Sequence, residues 1–347
     1  MRSLRSLFAV VAAAALVAVL SPQVARADAQ FVPVLSQDFP DPFILMHGGR
    51  FMAYATNSAR EGVNVQMATS TNLTDWQMVR DDHGLYDAMP VLPPWARRGS
   101  TWAPEVLQTD GGFVLYFTAR HRQRGVQCVG AATSADPIGP FVSQATEPLV
   151  CQYELGGTID ASPFRDSDGQ LYLYFKNDGN AVGKATEIFA QRLAPDGLSL
   201  VGERVSIERN DADWEGWVIE APTMVRTDSG YALLYSGNDY AWQDNQRLSA
   251  YAIGYASCQS PMGPCTDAPA NPILHSFNER DAGCLSGPGH QTVFQVGTRS
   301  FLAFHAWAAT PGCRKTDARR YLYISPLAWR DGAPVVAVSL RPQGERH

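Results

Sequence analysis

Residues 159–175 read IDASPFRDSDGQLYLYF, in which a motif around Asp160 and Pro163 leads through Asp168-Gly169 into the strand-like run 171–175. An Asp-Gly pair between two β-prone runs is a strong signal for a hairpin. The same order of motif, turn and strand occurs five times, and the motif anchors are 62, 57, 60 and 70 residues apart. Recurrence at a nearly constant interval predicts a repeat architecture.

The other four copies share an acidic or Pro-containing motif that precedes an apolar strand. They are Asp38-Phe39-Pro40-Asp41-Pro42-Phe43 before 51–56, Trp102-Ala103-Pro104-Glu105-Val106 before 113–117, Ile219-Glu220-Ala221-Pro222-Thr223-Met224 before 231–235, and the more divergent Gly287-Pro288-Gly289-His290-Gln291-Thr292-Val293 before 301–305. After residue 27 no segment keeps a 3.6-residue apolar period, so the sequence predicts an all-β chain.

A five-bladed β-propeller that forms a single domain, residues 28–347, is the predicted fold. Five units share these 320 residues, and 64 residues per unit accommodate four strands with generous loops. A β-sandwich is the alternative, but it leaves the five-fold spacing unexplained. In a propeller the innermost strand of each blade lies beside the central axis, so motifs that are distant in sequence should meet there.

Residues 1–27 are predicted to be a cleaved signal peptide, which implies a secreted protein. Arg2 and Arg5 precede the apolar stretch 7–20, and Ala25-Arg26-Ala27 has the small-x-small pattern of a cleavage site, with cleavage near Ala27. A membrane anchor is the competing interpretation, although the apolar stretch is shorter than the roughly 20 residues that span a bilayer.

The remaining chain is acidic. Removing Arg2, Arg5 and Arg26 from 28 basic residues leaves 25 against 34 acidic ones, a net charge of −9. Nucleic acids and anionic membranes require a basic surface, so the composition argues against both as partners and leaves neutral ligands open.

Six cysteines in an exported chain can all form disulfides, and fifteen connectivities exist. Proximity within a blade favours the pairs Cys128 with Cys151, Cys258 with Cys265, and Cys284 with Cys313. A zinc site is the alternative, but no two of these cysteines are separated by only two to four residues, as zinc ligands usually are. Structural disulfides are therefore expected.

Three carboxylates, Asp41, Asp160 and Glu220, lie in the motifs of the first, third and fourth units and should face one another across the axis. Crowded like charges raise at least one pKa, which leaves a protonated acid beside an ionised base near neutral pH. Glycoside hydrolysis needs that combination. Taken alone, Asp41 and Asp160 are more typical of turns, but their shared position in the repeat favours a functional role.

In these motifs the chain resembles glycoside hydrolase family 43, five-bladed propeller enzymes that act on arabinose- and xylose-containing polysaccharides. The resemblance covers essentially the whole chain after the signal segment and rests on the ordered recurrence of the five motifs. It implies an inverting hydrolase in which Asp41 is the general base, Glu220 is the general acid, and Asp160 orients the acid and tunes its pKa. Inversion requires the base and acid carboxyl groups to stand roughly 6.5 to 9.5 Å apart, with water between them.

Aromatic and imidazole side chains near the motifs are candidate substrate contacts. Trp102 and Phe43 could stack on a sugar ring, and packing between blades is the alternative for both. His290 is a candidate substrate contact, and the resemblance also makes it a candidate ligand of a structural calcium ion. No cofactor is expected to be required. Weaker candidates flank the third and fourth motifs: Asn177, Asp178, Trp214, Trp217 and Trp242.

The expected function is hydrolysis of arabinose-containing plant polysaccharides or oligosaccharides, as an α-L-arabinofuranosidase or arabinanase. A β-xylosidase of the same family and a non-catalytic carbohydrate-binding propeller are the alternatives. A retaining fructosidase is disfavoured, because Asp41-Pro42 lacks the preceding Trp and Asn, and Glu220 is followed by Ala221 instead of Cys. Loss of a carboxylate would favour the binding protein, and none of the three is missing.

Overall fold

The fold is a five-bladed β-propeller, as the repeat spacing predicts. A computed structural model describes residues 31–242, 248–279, 283–310 and 313–341, and the predicted signal peptide lies outside these ranges. Besides strands, the described residues form three short 3₁₀ helices, Tyr153–Leu155, Gly179–Val182 and Asp213–Glu215. In the same ranges no helix is long and apolar enough to cross a membrane.

Consecutive strands pair antiparallel in chain order within each blade. Blade one contains β1 Phe43–His47, β2 Arg50–Ala55, β3 Gln66–Ser70 and β4 Gln77–Met78, followed by the hairpin β5 Arg80–Asp81 and β6 Gly84–Leu85. Blade two contains β7 Ala96–Thr109, β8 Gly112–His121 and β9 Gln127–Ser134, and blade three contains β10 Thr158–Arg165, β11 Leu171–Asn177, β12 Glu187–Leu193 and β13 Leu200–Arg209. Blade four contains β14 Ile219–Thr227, β15 Gly230–Gly237, β16 Ala252–Cys258 and β17 Cys265–Asp267, followed by the hairpin β18 Phe277–Glu279 and β19 Gly283–Leu285. Blade five contains β20 Gly289–Val296, β21 Arg299–Thr310, β22 Arg314–Arg330 and β23 Ala333–Val336.

Blade two departs from the four-stranded expectation, because its sheet has three strands. Two isolated bridges, Thr133 with Val142 and Val129 with Val150, take the place of the fourth strand. The segment 135–150 contains three prolines, and a proline cannot donate to a strand ladder. The outer edge of this blade is therefore held by single bridges and by the disulfide between Cys128 and Cys151.

The ring closes where the first described residues join blade five. Leu35 forms a bridge with Leu322 of β22, and the backbone N–H of Phe39 donates to the carbonyl of Arg320 at 2.8 Å. Asp38 accepts the backbone N–H of Arg320 at 2.9 Å. This closure brings Arg320, near the end of the chain, next to the first motif.

The core consists of five apolar clusters, one at each junction between neighbouring blades. Equivalent tyrosines on the second strands of blades one to three extend across these junctions. Tyr54 donates its hydroxyl hydrogen to the carbonyl of Pro137, Tyr116 donates to Gly197 at 2.6 Å, and Tyr174 donates to Pro261 at 2.8 Å. Each acceptor belongs to the next blade, so these side chains fasten adjacent blades together while satisfying buried hydroxyl groups.

The three predicted disulfides are confirmed: Cys128 pairs with Cys151, Cys258 with Cys265, and Cys284 with Cys313. The first and second each close a loop within one blade. The third joins β19 to the chain just before β22, so it links the outer hairpin to blade five. Disulfides generally stabilise a folded protein because they restrict the conformations of its unfolded chain.

Candidate active site

Each repeat motif has one non-glycine residue in the left-handed backbone region, just before or within the inner strand of its blade. These residues are Asp41 (φ 57°), Ala103 (46°), Asp160 (57°), Ala221 (55°) and His290 (49°). Few non-glycine residues adopt such values, and they cluster where a strand must bulge or re-aim a side chain. In blades two to five the strand register shifts at this place. The repeat motif is therefore a β-bulge in these four blades, and in all five blades it contains a left-handed residue.

Asp41, Asp160 and His290 occupy the left-handed position of the repeat motif, whereas Glu220 lies one residue before that position in its motif. In the register, Glu220 pairs with Ser236 in the way that Trp102 pairs with Thr118 in blade two. The structure thus corrects the expectation of one shared repeat position for the three carboxylates. Glu220 still lines the same cavity as Asp41 and Asp160, although its backbone position is one residue earlier in the motif.

A ring of hydrogen bonds holds the five left-handed residues. For four of them, a side chain on the second strand of the preceding blade, or directly after that strand, accepts the backbone N–H: Ala103 to Thr56 (2.9 Å), Asp160 to Thr118 (3.2 Å), His290 to Ser236 (2.8 Å) and Asp41 to His305 (3.1 Å). The equivalent residue facing the fourth bulge is Lys176, which can only donate. There the N–H of Ala221 donates to Asp160 Oδ2 at 2.9 Å. One carboxylate of the site therefore helps to position the residue that follows Glu220.

The three carboxylates line one cavity of about 290 Å³ at the axis. Its lining residues are Asp41, Thr56, Trp102, Ile159, Asp160, Asp178, Asn180, Ala181, Glu220, Tyr240, His290 and Arg320. A larger cavity, about 810 Å³, lies toward the opposite end of the inner strands, and Asp41, Asp160 and Glu220 do not line it. The convergence of the carboxylates makes the smaller cavity the candidate active site.

Asp41 lies among groups that favour its ionised form. Its Oδ1 is 3.1 Å from Arg320 Nη1, 3.3 Å from His305 Nδ1 and 3.4 Å from His290 Nδ1. Thr56 donates its hydroxyl hydrogen to Oδ2. Burial by itself raises the pKa of Asp41, but Arg320, followed by His290, outweighs burial and holds the pKa well below the usual value. Asp41 is therefore a carboxylate at neutral pH.

The surroundings of Asp160 instead favour its protonated form. It is 6% exposed, and burial followed by the nearby charge of Glu220 raises its pKa to about 6, although His290 and Lys176 act in the other direction. Two carboxyl groups of one cavity thus differ strongly in proton affinity because of their surroundings. Asp160 therefore holds its proton to a higher pH than Asp41 does.

Glu220 is held by two residues that the sequence analysis did not select. Tyr251 donates its hydroxyl hydrogen to Oε1 at 2.7 Å, and Lys176 Nζ lies 3.4 Å from Oε2. Lys176 is fully buried and also donates to Asn180 at 2.8 Å. Gly289 leaves the space for Tyr251, since an added Cβ would stand 1.9 Å from the tyrosine ring. Gly289 is therefore needed for the Tyr251 ring to pack at this place, where Tyr251 contacts Glu220.

His305 and Arg320 were also missed, and both act on Asp41. Burial, with Arg320 as the next cause, lowers the pKa of His305 to about 4, so the imidazole is neutral at neutral pH and its Nδ1 can accept the Asp41 N–H. The Arg320 guanidinium lies over the rings of Tyr240 and Trp307, 5.2 and 5.9 Å from their centres. A polar residue at the end of a second-strand apolar run was a usable signal for Lys176 after 171–175 and for His305 after 301–304, but nothing local marked Arg320.

The predicted aromatic contacts have different outcomes. Trp102 lines the cavity and is 36% exposed, as a sugar-stacking residue would need to be. Phe43 does not line this cavity. It borders the larger cavity at the opposite end of the inner strands and packs near Tyr54, with ring centres 6.3 Å apart. Only Pro42 separates it from Asp41, but Phe43 already belongs to β1, which begins beyond the left-handed backbone at Asp41.

Among the weaker candidates, Asp178 lines the cavity. Asn177 instead bonds the backbone at Ala185 and Glu187. Trp242 is buried, and the ring centre of Trp214 lies 5.4 Å from that of Tyr235, whereas Trp217 is exposed. Only Asp178 of this group therefore joins Trp102 at the cavity.

The donor set around His290 does not fit a calcium ion bound directly by this residue. Calcium prefers six to eight oxygen ligands, whereas His290 offers nitrogen and its neighbour Asp41 already contacts a guanidinium group. Among the described residues, the cluster of oxygen ligands with metal-site spacing lies elsewhere, at Asp211, Glu215 and Asp267. We therefore assign His290 its contact with Asp41 and derive no step through a metal.

Glu105 provides a prediction on stability that is separate from the cavity chemistry. Burial, and then the charge of Asp160, raise its pKa well above the usual value despite a hydrogen bond with Ser162, so the folded protein holds this proton to higher pH than the unfolded chain does. Stability is then lost as pH rises above the unfolded pKa. We expect Glu105→Gln to be increasingly more stable than the parent as pH rises, measured as the difference in Tm across a pH series. A Tm difference that shrinks with pH would contradict this.

Comparison with known proteins agrees with the geometry. The family model described as Glycosyl hydrolases family 43 matches residues 32–334. The chain is 26% identical over 325 residues to a β-D-galactofuranosidase of Aspergillus niger, covering 90% of this chain and 86% of the relative. It is 24% identical over 352 residues to the extracellular endo-α-(1→5)-L-arabinanase 2 of Bacillus subtilis, covering 85% and 70%. The solved structure of a thermostable family-43 glycoside hydrolase matches with a TM-score of 0.75 at 28% identity, covering 92% of this chain and 100% of that one.

Proposed function

The chain belongs to glycosyl hydrolases family 43, and on that premise we propose that it hydrolyses arabinose-containing plant polysaccharides or oligosaccharides with inversion. The observation that carries this proposal is the single cavity in which an ionised Asp41 accompanies Asp160 and Glu220. Glycoside hydrolysis requires a carboxylate that accepts a proton and a carboxylic acid that donates one. Both can be supplied by this constellation.

Asp41 is proposed to act as the general base. Arg320, His290 and Thr56 hold its carboxylate in place and keep it ionised, so it can accept a proton from a water molecule that attacks the anomeric carbon. A carboxylate whose ionised form is so strongly stabilised is intrinsically a weak base. Its efficiency would come from position, because the water is held beside the sugar when attack begins.

Glu220 is proposed to act as the general acid. Tyr251 donates to one of its oxygens and Lys176 approaches the other, so the carboxyl group has a defined orientation before substrate arrives. Asp160 supports this acid by fixing the backbone at Ala221, and it is proposed to tune the acid as a neighbouring negative charge. Asp160 is accordingly a positioning residue that also adjusts proton affinity.

The role of Asp160 leads to a prediction about pH dependence. We expect Asp160→Asn to lower kcat by about 10- to 100-fold and to move the basic limb of the kcat/KM profile toward lower pH. The physical reason is that the variant lacks the negative charge that helps the acid to retain its proton. Rates measured from acid to alkaline pH on one aryl pentoside would check this. An unchanged basic limb would remove Asp160 from the proposed tuning role.

Arabinose is the proposed sugar, and related pentose or furanose glycosides are the competitors to be compared with it. The experiment is product analysis on linear arabinan, arabinoxylan, and aryl glycosides of α-L-arabinofuranose, β-D-xylose and β-D-galactofuranose, with Glu220→Gln beside the parent. Arabinose released by the parent alone supports exo-hydrolysis, and arabino-oligosaccharides support endo-hydrolysis. Turnover confined to the xyloside or the galactofuranoside would overturn the sugar assignment. Binding without turnover in both proteins would favour the non-catalytic alternative.

Inversion has its own test. Proton NMR during the first minutes of hydrolysis reports the anomeric configuration of the sugar before mutarotation. A single displacement by water inverts the configuration, whereas a covalent intermediate retains it. A first product with the configuration of the substrate would overturn the proposed one-step mechanism.

Secretion is proposed from the predicted signal peptide together with three disulfides, which persist in oxidising compartments. The Bacillus subtilis relative is named extracellular. N-terminal sequencing of the protein from culture medium should begin close to residue 28. Recovery of the intact chain with its first residues, bound to membranes, would favour the anchor instead.

A further inference from the structure

The turn after the second strand of blade three presents two polar side chains to the central cavity. Asp178 and Asn180 follow β11, and both line the cavity that contains the three carboxylates. Neither has a role in the acid–base scheme proposed above. Asp178 is 7% exposed, and within the described ranges no donor forms a hydrogen bond with its carboxylate oxygens. A buried carboxylate without a donor is costly, and the cavity is the place where a ligand can supply one.

The position of Asp178 in the chain would suit a structural role, but its side chain does not fill that role. Asp178 directly precedes the 3₁₀ helix Gly179–Val182, and an aspartate at such a position usually accepts a backbone N–H of the first turn. Its side chain makes no capping bond. Backbone bonds hold the turn instead: the N–H of Asp178 donates to the Gly157 carbonyl at 3.1 Å, and the N–H of Lys184 donates to the Gly179 carbonyl at 2.8 Å. The carboxylate is therefore available to a ligand on a well-held segment.

Asn180 is oriented by the buried lysine that also contacts the proposed acid. Lys176 Nζ donates to Asn180 Oδ1 at 2.8 Å and lies 3.4 Å from Glu220 Oε2. An ammonium group can only donate, so this contact identifies the amide oxygen and leaves the amide nitrogen of Asn180 to donate elsewhere. Asp178 thus offers an acceptor and Asn180 a donor. A sugar hydroxyl group both donates and accepts, so the two side chains suit sugar hydroxyl groups.

The order of the blades places these two residues on the side of the acid. Asp41 directly precedes blade one, and its ionic contacts come from blade five. In a ring of five blades, the boundary between blades five and one faces blade three across the axis. In a one-step inversion, water attacks from the side of the base and the leaving group departs on the side of the acid. The leaving group is therefore the part of the substrate that Asp178 and Asn180 can contact.

We propose that Asp178 and Asn180 bind hydroxyl groups of the leaving sugar and thereby favour substrates in which the leaving group is itself a saccharide. The inference rests on the proposed function, because it uses the roles of Asp41 as base and Glu220 as acid. It identifies two residues that determine specificity without taking part in proton transfer. The preferred substrates are then di- and oligosaccharides.

The experiment compares two substrates of the same sugar that differ in the leaving group. Arabinobiose loses a sugar, whereas an aryl α-L-arabinofuranoside with an acidic phenol loses a group that lacks these hydroxyls and needs little help from the acid. We expect Asp178→Asn to lower kcat/KM on arabinobiose by about 5- to 50-fold, because a neutral amide replaces a charged acceptor. The same variant should keep kcat/KM on the aryl glycoside within about twofold of the parent value.

The matched control is Asp168→Asn, the same change in the turn before β11, at the other end of that strand. It should leave both values within about twofold of the parent. A difference between the two substrates cannot come from damage to the fold, because an unfolded fraction lowers both rates equally. Asn180→Asp can still accept from Lys176 but can no longer donate, so it should show the same difference and replaces Asp178→Asn if that variant does not fold. Equal losses on both substrates, or no loss on either, would overturn the inference.

Failure of the proposed function gives a separate result. If the parent hydrolyses a xyloside or a galactofuranoside instead, the disaccharide and the aryl glycoside of that sugar provide the same comparison. If the parent hydrolyses no sugar, calorimetric titration with the disaccharides replaces the rates, and Asp178→Asn should bind about tenfold more weakly than the parent and Asp168→Asn. Equal affinity of all three proteins, or no binding by any of them, would overturn the inference.

Discussion

Replacing Glu220 by Gln is expected to lower kcat on natural arabinosides by about 10²- to 10⁴-fold, the contribution of a positioned general acid. The amide keeps the shape of the side chain and can still receive the Tyr251 hydroxyl hydrogen, but it cannot protonate the leaving oxygen. Binding of an unhydrolysed oligosaccharide should change by no more than about threefold, because the loss concerns the transition state.

The leaving group distinguishes loss of the acid from a general loss of structure. An aryl glycoside with an acidic phenol leaves without protonation, so Glu220→Gln should lose far less activity on it than on arabinan. Steady-state rates on a series of phenols would show a steep dependence in the variant and a shallow one in the parent. The matched control is Glu105→Gln, another carboxyl-to-amide change beside the axis, which should retain kcat within about twofold. Equal losses on all leaving groups would remove Glu220 from the role of acid.

Replacing Asp41 by Asn is expected to lower kcat by about 10²- to 10⁴-fold on every substrate, independent of the leaving group. Departure of a good leaving group does not replace the base, because water must still be deprotonated as it attacks. Across one series of aryl glycosides, Glu220→Gln should therefore recover activity as the phenol becomes more acidic, whereas Asp41→Asn should not. A well-folded Asp41→Asn variant with appreciable activity, or one that is rescued by acidic phenols, would contradict the proposed role.

The same substitution should change stability in a pH-dependent way. Arg320 and His290 hold the pKa of Asp41 below its unfolded value, so this carboxylate stabilises the fold above that unfolded pKa, and the contribution is lost as pH falls through the folded pKa. Asp41→Asn should accordingly have a lower Tm than the parent at neutral pH, and the difference should shrink in acid. Thermal unfolding at neutral and acid pH measures both values. A constant difference would mean that the ionised carboxylate is not the stabilising form.

The architecture was predictable because its signal is local and repeated. Each motif, turn and strand lies within a span such as 159–175, and five similar spans with nearly constant spacing leave few arrangements open. The disulfides were predictable for a related reason, since the paired cysteines are only 7 to 29 residues apart and fall within single blades or their edges. Blade two was less regular than expected because the prolines between 135 and 150 interrupt its outer edge.

The candidate site was predictable only where its residues belong to the repeat motifs. Asp41, Asp160, Glu220 and His290 all lie just before or within the first residues of an inner strand, and each of them lines the cavity. Phe43 belongs to a motif as well, yet strand geometry directs it elsewhere. Trp102 is the aromatic neighbour that remained at the cavity, because it stands in the backbone position that Glu220 occupies two blades later.

By itself the sequence determined the blade count, the inner strands and the carboxylates at their beginnings, since these follow from spacing and from short-range conformational preferences. The tertiary structure alone decided how each carboxylate is held. Arg320 reaches Asp41 across 279 residues of chain, and Lys176 reaches Glu220 across 44. Neither pair carries a local pattern, because closure of the ring and the twist of neighbouring blades create the contacts. The ionisation of each carboxylate depends on those contacts, so the chemistry of the site is a property of the closed ring.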